Sequence, residues 1–177
     1  QDYRGNISVS SNTGEGTQIL LEFPIPRKVM VDKTILCKWE KYTLAIPVGD
    51  IERIVPCDNA KLNYIDNMRF AQFDGETVPL LTFREICEQS LFVTPEEVLE
   101  KSMVVIRGLD RKLALLVDAI DQQLEIVIRP FSPLMKKTKG FKGTAILGDD
   151  LIAYVVSSDE VAELLNSPND IETKRAA

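Results

Sequence analysis

The stretch Met103–Pro130, MVVIRGLDRKLALLVDAIDQQLEIVIRP, constrains the fold more than any other part of this chain. It contains three apolar runs, Met103–Arg107, Leu113–Ile120 and Leu124–Arg129, separated by Gly108-Leu109-Asp110-Arg111 and by Asp121-Gln122. Runs this short, rich in Val and Ile and bounded by polar turns, read as consecutive strands of a meander. In the third run Leu124, Ile126 and Ile128 alternate with Glu125 and Arg129, which predicts one face in water. In the middle run apolar residues occupy both phases as far as Asp118, which predicts a strand buried on both sides. A further pair, Thr144–Leu147 and Leu151–Val156, meets at Gly148-Asp149-Asp150. Five short strands with no cheap way to leave open edges predict closure into a small barrel.

The remainder of the chain repeats this grammar. Thr34–Trp39 and Tyr42–Pro47 flank the turn Glu40-Lys41, and Ile51–Pro56 follows the bend Val48-Gly49-Asp50. Phe70–Phe73 and Thr77–Leu81 flank Asp74-Gly75-Glu76, a tight-hairpin signal. Asp58–Asn67 is polar enough to read as a loop, although it carries Leu62, Tyr64 and Ile65. Short helices are expected near Arg84–Gln89, from the Thr94-Pro95-Glu96-Glu97 start, and after Ser157-Ser158-Asp159-Glu160, which has the form of a capping box. Ala45–Ile54 and Leu116–Ile126 each pass from one strand through a turn into the next, a weak internal repeat that favours two like lobes over one large sheet.

Composition removes whole classes of chemistry. The 177 residues include no histidine, which excludes Ser-His-Asp and Cys-His catalysis and histidine metal ligation within the chain. Cys37, Cys57 and Cys87 are odd in number and never form a CxxC pair, against a disulfide framework or a thiolate metal site. No apolar run approaches the ~20 residues of a membrane-spanning helix. A net charge of −6 with 7% aromatics argues against one function open to a small β-barrel, nucleic-acid binding. The start at Gln1 suggests a fragment or a processed chain. Asp118, at a strand end, reads as a turn-capping carboxylate, Trp39 as a barrel plug, and the run Lys136-Lys137-Thr138-Lys139 as a solvated loop.

Near the start, Asn6–Ser10 and Thr17–Phe23 are strand-like and surround Ser11-Asn12-Thr13-Gly14-Glu15-Gly16. Two strands alone are marginal in water, so their sheet is expected to have further strands upstream. Phe23-Pro24-Ile25-Pro26-Arg27-Lys28 is proline-stiffened and reads as a connector.

Several blocks carry a family resemblance: Tyr42-Thr43-Leu44-Ala45-Ile46-Pro47 with Ile54, Thr77-Val78-Pro79-Leu80-Leu81, Leu115-Leu116-Val117-Asp118 with Gln122–Pro130, and Gly143-Thr144-Ala145-Ile146-Leu147-Gly148-Asp149. Together they resemble the CheW-like regulatory module of bacterial chemotaxis, in the form found at the C-terminus of the CheA histidine kinase. Gly14-Glu15-Gly16-Thr17, with its flanking strands, resembles the end of a GHKL-type ATPase domain, with GEGT as its second glycine box. The sequence departs from the family at Phe73-Asp74-Gly75, where Arg-Gly often stands.

The resemblance implies a mainly β fold: two SH3-like five-stranded barrel lobes with short helices, plus an N-terminal hairpin left from a truncated α/β ATPase domain. The implied layout is the hairpin over 1–23, a connector over 24–33, the CheW-like region over 34–165 and a tail over 167–177. Within the CheW-like region, lobe one covers about 34–83, a bridge 84–101, lobe two 102–156 and the closing helix 157–166. Gly14, Gly16 and Thr17 would be a nucleotide-binding remnant, with ATP and Mg belonging to the parent kinase and no cofactor in this segment. The segment would be non-catalytic and cytoplasmic, at membrane-associated receptor arrays, without nucleic-acid or direct membrane contact. Its partners would be a CheW-type adaptor and chemoreceptor cytoplasmic tips, and the parent kinase a homodimer. Candidate contact residues are Leu62, Tyr64, Ile65 and Met68, and Phe131, Leu134, Met135 and Phe141. The alternative is a free-standing CheW-type adaptor, which should lack the GEGT box and the Pro-x-Pro connector.

Overall fold

A computed structural model describes residues 6–12, 14, 16–22, 30–65, 68–88, 98, 100–131, 139–148 and 151–165. Strands β1 (Asn6–Asn12) and β2 (Gly16–Glu22) form the N-terminal hairpin. The main body runs β3 (Met30–Trp39), β4 (Tyr42–Pro47), β5 (Ile51–Pro56), β6 (Lys61–Ile65), β7 (Met68–Phe73) and β8 (Glu76–Thr82), then helix α1 (Phe83–Glu88). It continues through β9 (Ser102–Arg107), β10 (Lys112–Val117), β11 (Ala119–Pro130), β12 (Phe141–Ile146), β13 (Ile152–Val156) and helix α2 (Ser158–Leu164). The connector prolines, the Thr94–Glu97 helix start, residues 136–138 of the lysine-rich run and the tail lie outside the described residues.

The body has two β lobes. One is a closed five-stranded barrel in the order β11-β12-β13-β4-β3, and the other a six-stranded sheet in the order β5-β9-β10-β8-β7-β6. Their division of the chain corrects the sequential lobes expected at 34–83 and 102–156. Barrel strands β3 and β4 come from before the six-stranded sheet, and β11, β12 and β13 from after it. The three apolar runs of Met103–Pro130 are accordingly not one meander. β9 and β10 pair with each other, β10 then pairs in parallel with β8, and β11 leaves for the barrel, where it pairs with β3. The two segments noted as a weak repeat are the two crossings: Val48–Asp50, a single 3-10 turn, carries the chain from barrel to sheet, and Asp118 carries it back.

Burial explains the arrangement. β10 is buried on both faces, with every residue from Leu113 to Val117 at most 1% exposed. Burying each such Leu or Val contributes about 1.5–3 kcal/mol, so this strand is a main anchor of the fold. β3 and β4 are two-faced as well. Leu36 and Ala45 fill the barrel interior with Ile126, Ile128, Ala145, Ala153 and Val155. Cys37, Trp39, Leu44 and Ile46 point the other way, into a second core shared with Val104, Leu113, Leu116, Phe141 and Val161. Trp39 is thus no plug of the barrel; it sits in the core between the lobes. Burial pushes the Cys37 thiol up to about 12 and the Cys57 thiol to about 11, so both stay protonated at neutral pH.

The helix ends show tertiary contacts overriding a local signal. The predicted capping box at Ser157 does not form its side-chain cap. Instead Ser158 Oγ donates to Asp50 Oδ2 at 2.8 Å, and Glu160 Oε2 accepts the Gly140 N–H at 3.1 Å. A reciprocal box does form at α1, over Thr82-Phe83-Arg84-Glu85: Glu85 Oε2 accepts the Thr82 N–H at 2.7 Å, and Thr82 Oγ1 accepts the Glu85 N–H at 3.1 Å. Glu85 also pairs with the buried Arg69, tying β7 to α1.

Charged side chains lace four neighbouring strands of the six-stranded sheet. Glu52 on β5 accepts from Lys112 on β10 at 2.7 Å and from Arg107 on β9 at 3.1 Å, and Lys112 also reaches Glu76 on β8 at 2.8 Å. Lys112 first, then Arg107, hold Glu52 below the usual carboxylate range, and Glu52 and Glu76 hold Lys112 above the usual lysine range. The Glu52 contribution is therefore present at neutral pH and lost as pH falls through its lowered pKa. The Lys112 contribution is present at neutral pH and lost as pH rises through its raised one. Glu52→Gln is expected to lower the urea midpoint at pH 7, with the gap to wild type closing below the usual carboxylate range. A gap that persists unchanged into acid would refute this role.

Candidate docking surfaces

The expected contact residues fall into unlike environments. Asp58–Asn67 is not a plain loop: Lys61–Ile65 is the edge strand β6, paired with β7 through Leu62–Ala71, Tyr64–Arg69 and Ile65–Met68. The polar Asn63 and Asp66 masked that strand in the sequence. Leu62 is partly buried and packs against the shared core. Tyr64, Ile65 and Met68 are 48%, 56% and 37% exposed, so the tip of this edge hairpin shows apolar surface to solvent.

Around the second group the structure overturns one candidate. Phe141 is 4% exposed and belongs to an aromatic cluster, its ring centroid 5.5 Å from Phe83 and 6.1 Å from Tyr154. It is a core residue, placed there because β12 starts beneath α1. Phe131 is partly buried against the same core. Leu134 and Met135 lie outside the described residues.

A second apolar surface was missed. Val31 on β3 stands opposite Val127 on β11, and Ile146 on β12 opposite Ile152 on β13. β11 and β12 pair at Arg129–Thr144, two residues along each strand from Val127 and Ile146, so both share the outward phase of that pair. The four side chains form one row across the outer wall of the barrel, each 50–56% exposed. The Lys33–Glu125 pair flanks the row on one side and Arg129 on the other. An apolar centre with a polar rim is the anatomy of a protein–protein contact. The signal was present in the sequence: Glu125 and Arg129 fix the outward phase of β11, and Val127 lies between them.

At the hairpin, Gly14 and Gly16 take φ values of +89° and +102°, conformations that favour glycine. The Thr17 hydroxyl lies 3.0 Å from that of Ser11 on the opposite strand. Ile7 and Leu21, and Val9 and Ile19, are cross-strand pairs sharing one exposed apolar face.

Where the lobes meet, a cleft of about 330 Å³ is lined by Trp39, Tyr42, Phe83 and Tyr154, with Glu40, Lys41, Arg84 and Cys87 around them. Asp118 caps a turn, but the β3–β4 turn rather than its own: its Oδ2 accepts the Glu40 N–H, and its Oδ1 is 2.7 Å from Lys101 Nζ. Among the described residues no group of His, Cys, Asp and Glu is placed to hold a metal ion. Among the same residues no helix is long and apolar enough to cross a membrane.

Two interleaved β lobes with exposed apolar faces define a protein-docking module. The CheW-like domain family matches residues 33–166, and the chain belongs to that family. Its relatives include the chemotaxis protein CheA of Bacillus subtilis, 24% identical over 152 residues that make up 86% of this chain and 22% of CheA. The sensor histidine kinase CheAY of Helicobacter pylori is 23% identical over 163 residues, 92% of this chain and 20% of that protein. The chain therefore spans about a fifth of these relatives. In fold it is similar to the scaffolding protein TtCheW from Thermoanaerobacter tengcongensis, with a TM-score of 0.59 at 16% identity, over 73% of this chain and 91% of that one.

Proposed function

We propose that this chain is the regulatory and adaptor-docking region of a chemotaxis-type histidine autokinase, and that it couples receptor arrays and a CheW-type adaptor to kinase activity. The observation that carries the reading is the pair of exposed apolar surfaces, one on each lobe: the barrel row Val31–Val127–Ile146–Ile152 and the hairpin tip Tyr64–Ile65–Met68. Two separate faces let one module touch two neighbours at once, which an element linking kinase, adaptor and chemoreceptor tips requires. The segment itself performs no chemistry in this reading. ATP and Mg act in the rest of a dimeric parent kinase, of which Gly14, Gly16 and Thr17 are the edge, and the assembly works in the cytoplasm at receptor arrays.

The test is titration of this chain with a purified CheW-type adaptor and, separately, with ATP. Adaptor binding without ATP binding is the expected pattern. ATP binding by this segment, or no adaptor binding at the concentrations at which arrays assemble, would overturn it. A free-standing adaptor would instead bind a purified CheA-type kinase in the same assay.

A further inference from the structure

The β3–β4 turn is held from two sides. Glu40 takes φ +50°, a backbone region that ordinary side chains rarely adopt. Its N–H donates to Asp118 Oδ2, while its carboxylate pairs with Arg84 Nη2 on α1 at 2.5 Å. Asp118 is itself fixed by Lys101, whose ammonium lies 4.3 Å from the centre of the Trp39 ring. One relay thus joins the barrel turn, the Asp118 crossing between the lobes, and the helix of the other lobe.

The two grips differ in kind. The Asp118 grip acts on backbone and is backed by Lys101. The Arg84 grip joins two side chains that are 35% and 45% exposed, so salt screens it and it forms and breaks readily. It also spans the cleft walled by Trp39, Tyr42, Phe83 and Tyr154. We propose that the Glu40–Arg84 pair is a releasable latch between the lobes: closed, it holds α1 to the β3–β4 turn across the aromatic cleft, and released, it opens that cleft. A carboxylate from elsewhere that takes Arg84 would release it in the same way as high salt. The inference stands whatever partner the chain docks.

Trp39, the chain's one tryptophan, is 2% exposed and lines the cleft, so acrylamide quenching of its fluorescence reports opening. Glu40→Gln and Arg84→Gln are each expected to raise the open population, and with it the quenching, by up to about five-fold, the factor an exposed ion pair supplies. Glu40→Gly should raise quenching equally while relieving the backbone at this position, which separates the latch from turn strain. The exchanged pair Glu40→Arg with Arg84→Glu should restore wild-type quenching, and about 1 M NaCl, where the Debye length is about 3 Å, should open wild type but leave Glu40→Gln unchanged. Single variants that quench like wild type would overturn the latch. So would single variants that quench more but are not restored by the exchange, since the two side chains would then act separately.

Discussion

Gly143→Ala is expected to destabilise the chain by about 3 kcal/mol in urea unfolding, the high end for one methyl group forced against unyielding atoms. A Cβ at Gly143 would lie 2.3 Å from the Arg129 carbonyl oxygen and 2.9 Å from both the Arg129 carbonyl carbon and the Pro130 Cα. All three are backbone atoms, so no side chain can rotate away. The position is also the weak seam of the barrel. β11 and β12 pair only at Arg129–Thr144 and Pro130–Gly143, and the β12–β13 register slips between Phe141 and Gly143. Moving Arg129 aside would part the seam that closes five strands into a barrel. Gly148→Ala is the control: nothing lies within 4 Å of a Cβ there, and its effect should stay within about 0.5 kcal/mol. Equal effects from the two substitutions would show that the seam does not govern stability.

The strands were legible in the sequence because a period-two pattern records which face is wet, and that is local information. β10 as a strand buried on both sides and β11 as one alternating between core and water follow directly from Leu113–Val117 and Leu124–Arg129. Which strands share a sheet is not local. β11 pairs with β3, so that Ala119 meets Lys38 and Ile128 meets Met30, and nothing in the apolar phase of either strand names its partner. The cue that existed was the apolar character of both phases of β3, where Leu36 and Cys37 are each buried, one toward the barrel interior and one toward the shared core. A strand on an open-faced lobe has no use for two buried faces, whereas one wedged between two cores does. The cores also explain why sequential lobes failed: the chain leaves the barrel at Val48–Asp50 and returns at Asp118, so each lobe is completed only by the far end of the chain.

Contact residues were harder to read because exposure depends on what packs above a strand. Phe141 and Ile146 lie on the same strand, yet one is buried under α1 and the other open to solvent. Residue type alone cannot separate them. Tyr64 and Ile65 could be chosen from the sequence only because their segment was so polar that apolar side chains in it stood out. Glu85 shows the opposite limit: the Thr82-x-x-Glu85 box was written in the sequence, but the Arg69 partner that makes it structural comes from β7.

On the proposed docking role of the barrel row, replacing Val127 with Lys and Ile152 with Glu together should weaken adaptor binding by at least about 30-fold, because charges buried at the centre of a contact cost ~2 kcal/mol or more. The pair is chosen to leave the net charge at −6, so that a loss cannot be ascribed to long-range repulsion. Both side chains point away from the barrel interior, which is filled by Leu36, Ile126, Ile128 and Val155, so the melting temperature should move by only a few degrees. The companion change Ile65→Glu at the β6–β7 tip tests the other lobe. If the two faces serve different neighbours, one variant should lose the adaptor and the other should keep it while failing to couple the kinase to receptors. Wild-type affinity in the barrel double variant would remove the row from the docking surface. A collapsed melting temperature would show instead that the row holds the barrel together, a role its exposure argues against.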